Sequence, residues 1–148
     1  MGESTEKDKV FACITSGNRL LVFTHAHHPE AGIQVPAGTV QPDEEIVAAA
    51  VREAAEETGL TELEVVGVLG ERVFDMRPFG RNELHHRTFV HLRCHGETPE
   101  RWEHWETHPD GGEHFLFALY WLDLDAPLPA LCPGHDAFVD ALRMASDS

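Results

Sequence analysis

The sequence predicts an α+β fold, a sandwich in which helices pack on a mixed β-sheet. The chain order supports this class, because β-rich runs, one clear helix, several further strands and a second helix follow one another. The length of 148 residues and a hydrophobic content of 42 % suit one globular domain with a single core. We find no repeat and no low-complexity linker, so residues 1–148 are expected to form one domain, with a flexible polar stretch over residues 1–8.

The first elements are predicted to form a β-hairpin. Two β-rich runs, "KVFACIT" at 9–15 and "RLLVFTH" at 19–25, flank the turn-forming residues "SGN". The next segment, 25–40, has two prolines and two glycines and is expected to be a loop, with a short strand near 33–36.

Residues 43–58, "DEEIVAAAVREAAEET", carry the clearest helical pattern. Asp43 is a suitable N-cap, and the acidic residues after it suit the positive end of the helix dipole. Gly59 is expected to end the helix in a left-handed conformation. The apolar stripe of this helix is formed by Ile46, Val47, Ala50, Val51 and Ala54.

The second half of the chain is predicted to be mostly β-structure followed by a helix. Runs at 63–75 and 85–95 are typical of strands, and runs at 101–107 and 113–125 indicate a hairpin across "HPDGG". An amphipathic pattern over 134–145 predicts the second helix.

The composition excludes several classes of protein. A net charge of −15, from 26 acidic against 11 basic residues, disfavours nucleic-acid binding, and an anionic substrate would need local arginines or a divalent cation. Three widely spaced cysteines without a CxxC pair argue against a disulfide framework and a thiolate zinc site. No apolar run reaches the roughly 18 residues of a membrane span, and no signal peptide is visible, so we expect a cytoplasmic protein without a membrane partner.

An acidic ridge lies on the first predicted helix. Glu53, Glu56 and Glu57 are three or four residues apart and share one face, next to the apolar stripe. Their mutual repulsion destabilises the helix unless a positive group lies beside them, and Arg52 offsets only one charge. Hard divalent cations prefer carboxylate oxygens. Glu-rich exposed helices are common, so the ridge by itself favours a solvated surface over a cation site.

The residues before the ridge change this balance. Gly38, Glu44, Arg52, the three ridge glutamates and Gly59 stand at the spacing G-x5-E-x7-R-E-U-x-E-E-x-G-U, where U is apolar. The stretch "GTVQPDEEIVAAAVREAAEETGL", 38–60, matches this pattern without a gap and resembles the Nudix box of the MutT-like Nudix hydrolase superfamily. Seven fixed identities make a chance match improbable, on the order of 10⁻⁵ from the composition of the chain.

The resemblance implies a fold, a cofactor and an activity. The fold is an α/β/α sandwich in which a loop, a helix and a second loop bind Mg²⁺ or Mn²⁺. The ligands are the carbonyl of Gly38 and the carboxylates of Glu53, Glu56 and Glu57. Arg52 would orient a glutamate, and Glu44 would support the loop and the helix. The activity is hydrolysis of a diphosphate bond in a nucleoside diphosphate linked to another group.

Several assignments stay open within the resemblance. Glu53 is our candidate for the general base, and some family members use a glutamate of a later loop instead. The candidates in that region are Glu97, Glu100, Glu103, Glu106 and Glu113. The expected partner is a small nucleotide or another diphosphate, and a homodimer is compatible with the sequence. The alternative function is a catalytically silent Nudix-like nucleotide-binding or regulatory domain, although such domains typically have a damaged box.

Three further groups of residues are interpreted more simply. The histidines at 25, 27 and 28 are expected to lie in a loop or a substrate pocket rather than in a zinc site, and those at 85, 86, 91 and 95 in a sheet. The arginines at 72, 77, 81 and 87 either form a phosphate-binding cluster or are scattered surface charges. The tryptophans at 102, 105 and 121 are expected to pack in the core or across strands rather than to stack on a base.

Overall fold

A computed structural model describes residues 5–106 and 114–146. Within these residues the chain forms seven strands and two α-helices. They are β1 (Thr5–Ser16), β2 (Arg19–His25), β3 (Ala37–Thr39), α1 (Ile46–Thr58), β4 (Leu63–Asp75), β5 (Glu83–Cys94), β6 (Arg101–Trp105), β7 (Leu116–Asp123) and α2 (Val139–Ser146). The predicted turn at 108–112 lies outside the described residues.

All seven strands belong to one mixed sheet. The order is β4-β5-β1-β2-β7-β6. β3 lies outside this order and pairs with Lys9, Val10 and Phe11 of β1. The β1–β5 pair is parallel and the remaining pairs are antiparallel. The predicted first hairpin is confirmed, since Thr15 pairs with Leu20 and Ser16 with Arg19. The short strand expected near 33–36 begins later, at Ala37.

The segment expected to be flexible, residues 1–8, overlaps the first strand from Thr5 onwards. Thr5–Asp8 form the first part of β1 and pair in parallel with β5, beginning at Glu83. Polar side chains do not prevent this pairing, because the ladder uses backbone groups. An ion pair of 3.4 Å between Lys7 and Glu83 connects the same strands.

The helices cover opposite faces of the sheet, which confirms the predicted sandwich. On one face, Ala49, Ala50 and Ala54 of α1 are buried in a core with residues such as Ile14 and Leu92. On the other face, Val139 and Leu142 of α2 pack with aromatic and aliphatic residues of β1, β2 and β5. The site described below lies where α1 meets β3.

The predicted start of α1 is wrong by three residues. The helix begins at Ile46, its N-cap residue is Glu45, and Asp43 has a left-handed φ of 63°. The reason is a turn before the helix: the backbone N–H of Gln41 donates to the Glu44 carboxylate at 3.0 Å, and the N–H of Glu44 donates to the Gln41 carbonyl at 3.1 Å. The predicted end is confirmed, with Gly59 at φ 79°.

The second helix is shorter than the pattern predicts, because residues 133–138 form turns before Val139. In the described part of the chain, no helix has the length and apolar character that crossing a membrane requires.

Candidate active site

The acidic ridge of α1 is buried rather than solvated. Glu53 is 8 % exposed and Glu57 is 4 % exposed, while Glu56 is half-buried. Burying carboxylates is unfavourable unless hydrogen bonds, a cation or a proton compensates them. The interpretation of this helix face as an ordinary solvated surface is therefore wrong.

Glu57 is the innermost carboxylate of the ridge. It accepts a hydrogen bond of 3.0 Å from the backbone N–H of Ala37, where β3 begins. Burial raises the pKa of Glu57 well above its ordinary value, and the negative charges of Glu53 and Glu106 raise it further. A group in this environment binds either a proton or a cation.

Glu53 lies directly against the backbone of Gly38. A Cβ atom at residue 38 would overlap the Glu53 carboxylate, so only glycine permits this close approach. Burial raises the pKa of Glu53, and the hydrogen bond and charge of Arg52 oppose this rise. Gly38 and Glu53 are thus neighbours in space although 15 residues separate them in the sequence.

Arg52 connects the loop to the helix. Its Nε and Nη2 atoms donate to the two oxygens of Glu44 at 2.7 and 2.9 Å, and Nη2 also donates to the Thr39 carbonyl at 3.2 Å. Its Nη1 atom donates to Glu53 at 2.8 Å and to Glu56 at 3.4 Å. The bond from Arg52, with that from Gln41, lowers the pKa of Glu44 to about 2. Arg52 therefore ties Glu44 of the loop to the helix and holds Glu53 in place.

A cavity of about 400 Å³ opens over this cluster. Its walls include Gly38, Arg52, Glu53 and Glu56, and Glu106 completes them from the other side. Glu106 follows β6 and continues its pairing with the neighbouring chain segment, since its N–H donates to the Phe115 carbonyl at 2.8 Å. This pairing brings a carboxylate from beyond residue 100 to the helix.

Of the later glutamates that the sequence leaves open, Glu106 is the one that lines this cavity. Of the other candidates, Glu97 lines a separate cavity near Gly59, Glu100 pairs with Arg19 at 2.9 Å, and Glu103 is exposed. Glu113 lies outside the described residues. No sequence signal distinguishes Glu106, because its position depends on the β6–β7 register.

The donor set of the cavity is suited to a hard cation. It consists of carboxylate oxygens and the backbone of Gly38, which are the ligands that Mg²⁺ and Mn²⁺ prefer. With the side chains as they stand, no three acidic, histidine or cysteine residues in 5–106 and 114–146 converge on one cation position. The guanidinium of Arg52 takes the place of a cation here, because it pairs with Glu53 and Glu56. A cation would therefore compete with Arg52 for these two carboxylates, and the longer contact, that with Glu56 at 3.4 Å, is the weaker of the two.

The first histidine cluster lines a pocket, although His25 is the last residue of β2 rather than part of a loop. His25, His27 and His28 border a cavity of about 270 Å³ together with the half-exposed Trp105. The second group behaves as predicted in β5, where the His91 ring lies 2.8 Å from the hydroxyl of Thr15. His95 is the exception, because it follows the last residue of that strand.

The predicted arginine cluster divides into two parts. Arg72 stacks on Phe138 at 4.5 Å, and Arg77 pairs with Asp75 at 2.8 Å. Arg81 and Arg87 instead line a further cavity beside Gly38. Of the tryptophans, Trp102 and Trp121 pack in or against the core on the α1 side, as expected, whereas Trp105 is 54 % exposed.

Comparison with known proteins identifies the family. The model of the NUDIX domain family matches residues 5–142. The fold is similar to a MutT Nudix hydrolase from Burkholderia pseudomallei, with a TM-score of 0.64, 21 % identity, and coverage of 92 % of this chain and 97 % of that one. A MutT protein from Methanosarcina mazei Go1 gives a TM-score of 0.66 at 16 % identity, with 100 % of both chains covered. An ADP-ribose pyrophosphatase from Streptococcus suis gives 0.63 at 22 % identity, covering 96 % and 92 %. The chain therefore belongs to the NUDIX domain family.

Proposed function

We propose that this Nudix hydrolase cleaves a diphosphate bond in a nucleoside diphosphate linked to another group, and that it requires Mg²⁺ or Mn²⁺. The observation that carries the proposal is the buried Glu53, which lies against Gly38 at the wall of an open cavity. The buried Glu57 lies behind it and is bonded to the backbone N–H of Ala37. The Streptococcus suis relative, named as an ADP-ribose pyrophosphatase, supports a substrate of this class.

The cation would be held by the Gly38 carbonyl and by Glu53, Glu56 and Glu57. A divalent cation neutralises the diphosphate, polarises phosphorus and acidifies water. Neutralisation of the diphosphate by a cation is especially important here, because a chain with a net charge of −15 repels a diphosphate. Arg52 would remain bound to Glu44, which keeps the loop attached to α1 while its weaker contact with Glu56 opens.

The chain's own carboxylates would manage the proton. As the oxygen of a water molecule attacks phosphorus, the bond from phosphorus to the leaving phosphate oxygen breaks, and the proton of the water moves to a carboxylate. Glu53 is our candidate acceptor, since burial raises its pKa towards the range in which a general base is efficient. Arg52 positions Glu53 through their 2.8 Å bond. Glu106 faces the same cavity and is the second candidate.

Replacing Glu106 with glutamine is expected to lower kcat about 100-fold. The change removes a carboxylate that borders the cavity, whether it takes the proton or helps to hold the cation. Steady-state hydrolysis of the best substrate measures the effect. The matched control is Glu103→Gln on the same chain segment, where the carboxylate is exposed. A Glu106→Gln enzyme as active as the control would assign all of the acid–base chemistry to α1.

Mg²⁺ is expected to stabilise the protein more at about pH 8 than at about pH 6. Because burial raises the pKa of Glu57, the folded metal-free protein retains a proton that the unfolded chain has lost. The retained proton stabilises the folded protein. This stabilisation is complete below the pKa of about 4.3 that Glu57 has in the unfolded chain, and it is lost as the pH rises through the pKa of Glu57 in the folded protein. The cation needs the deprotonated group and compensates for this loss. Melting temperatures with Mg²⁺ and with EDTA at both pH values measure the difference, and an equal gain at both would contradict it.

A screen of nucleoside diphosphate compounds tests the proposed function. Product release should require Mg²⁺ or Mn²⁺ and stop with EDTA, and ¹⁸O-labelled water should place the label on one phosphate product. Binding of such compounds without any hydrolysis would favour the silent nucleotide-binding alternative and overturn the proposal.

A further inference from the structure

A second cavity of about 400 Å³ adjoins the proposed site. It shares Ala37 and Gly38 with the cavity over α1 and extends towards the α2 side of the sheet. Lys9 stands at the shared end, where its Nζ atom donates to the hydroxyl of Thr39 at 2.6 Å. A group attached to a diphosphate at Gly38 would enter this cavity.

The cavity contains a buried arginine without a counter-ion. Arg87 is 6 % exposed, and among the described residues no carboxylate forms an ion pair with it. Burial lowers the pKa of its guanidinium, and no acidic group opposes this effect. A buried unpaired charge is costly in a fold, so its presence at a cavity wall points to a ligand.

Only one edge of the Arg87 guanidinium lacks good partners. Phe74 and Phe11 lie near the group, with ring centroids 4.0 and 4.8 Å from Cζ. Nη1 donates to the Pro133 carbonyl at 3.0 Å. Nε is itself buried and has no hydrogen-bond partner, and Nη2 has only the sulfur of Met76 at 3.9 Å, which is a weak acceptor. A ligand therefore reaches this edge only when Met76 moves.

Nε and Nη2 form one of the two planar forks of a guanidinium. Such a fork binds two adjacent acceptors that lie in one plane. The O6 and N7 atoms of guanine are such a pair, and arginine is their commonest specific partner. Adenine presents a donor, the N6 amino group, at the corresponding place. The Met76 side chain is flexible and would move aside when a base arrives.

The walls favour a base over a phosphate. Besides the two phenyl rings at Arg87, Met76, Pro133 and the half-exposed Phe79 line the cavity. Phe79 stacks on Phe74 with ring centroids 5.8 Å apart. A planar base loses little water against these apolar walls. Lys9 and Arg81 also line the cavity, and their charges suit the phosphates attached to such a base.

His135 adds a further donor to the cavity. Its Nδ1 atom accepts a 3.1 Å hydrogen bond from the backbone N–H of Val35, so the neutral ring carries its proton on Nε2. Burial and the charge of Arg87 lower the pKa of His135 to about 4, which keeps the ring neutral. The polar groups that Arg87 and His135 offer a ligand here are thus donors.

We propose that this chain prefers diphosphate substrates that carry a guanine nucleoside, and that Arg87 determines this specificity by binding O6 and N7 of the base. This inference rests on the proposed function, which places the diphosphate of the substrate beside Gly38. Guanine fits this cavity because its O6 and N7 atoms match the donors of Arg87, and its flat apolar faces match the apolar walls.

Binding of mononucleotides tests the proposal without hydrolysis. Calorimetry in EDTA should show GMP binding about 10-fold tighter than AMP. In Arg87→Lys, which keeps the charge and loses the fork, the preference should fall below about 2-fold. Arg93→Lys, a half-exposed position on the same strand, is the matched control and should retain the preference for GMP. Equal affinity for GMP and AMP in the wild-type protein overturns the proposal, even if the Arg87 variant does not fold.

Three more outcomes test this inference, and the last two separate it from the proposed function. If ribose 5-phosphate binds as tightly as GMP, the fork takes a phosphate and the inference is wrong. If guanine and adenine substrates are hydrolysed with equal kcat/KM, the inference fails while the function stands. If GMP binds selectively and no diphosphate is cleaved, the function fails and the specificity of the cavity stands.

Discussion

Replacing Glu57 with glutamine is expected to lower kcat on the order of 10³-fold and to leave the melting temperature unchanged or raised. The activity falls because the cation would lose an anionic ligand, and a bound metal contributes several kcal/mol to catalysis. Stability is preserved because glutamine has the same shape and its oxygen can still accept the N–H of Ala37. The change also removes a buried charge from a group that is 4 % exposed.

Steady-state kinetics and thermal denaturation with EDTA measure the two effects of Glu57→Gln separately. Glu45→Gln is the control, because Glu45 is exposed at the start of the same helix. Activity within about twofold of the wild-type value in Glu57→Gln would show that the innermost carboxylate takes no part in the reaction.

Gly38→Ala is expected to lower kcat about 100-fold at a cost of about 1–2 kcal/mol in unfolding free energy. The new methyl group would overlap the Glu53 carboxylate, which lies at the end of a flexible side chain and can move away. The fold therefore survives, whereas the carboxylate leaves its position beside Arg52. Activity assays and urea denaturation of the same preparation measure the two quantities.

Gly96→Ala provides a closely matched control for Gly38→Ala. A Cβ atom at residue 96 would also meet the end of a glutamate side chain, that of the exposed Glu62, which lies outside the site. If both alanine variants lose activity to the same extent, displacement of Glu53 is not the cause.

The parts of the fold that follow from local chemistry were predictable from the sequence. The left-handed Gly59, the first hairpin and the apolar stripe of α1 depend on neighbouring residues and on helical spacing. The N-cap was not predictable, because Glu44 is fixed by Arg52 rather than by the helix start, and this leaves Asp43 in a turn. Pairing of Thr5–Asp8 depends on β5, which is distant in the sequence.

The candidate site likewise has some features that local sequence predicts and others that depend on contacts between distant residues. The spacing of Glu53 and Glu57 predicts their shared face, whereas their burial comes from the contact of α1 with β1 and β3. Glu106 is positioned by the pairing of β6 with β7. Arg87 differs from its exposed neighbours in the arginine group only because β5 places it under Phe74 and Phe11. Such contacts join residues that no local pattern connects.

Binding of Mn²⁺ tests most directly whether the carboxylates of α1 hold the catalytic cation. Calorimetric titration of the wild-type protein should show saturable binding, and the double variant Glu53→Gln and Glu57→Gln should bind at least about 10-fold more weakly while retaining its fold by circular dichroism. Unchanged Mn²⁺ affinity and stoichiometry in the folded double variant would contradict the assignment of the metal site to this helix.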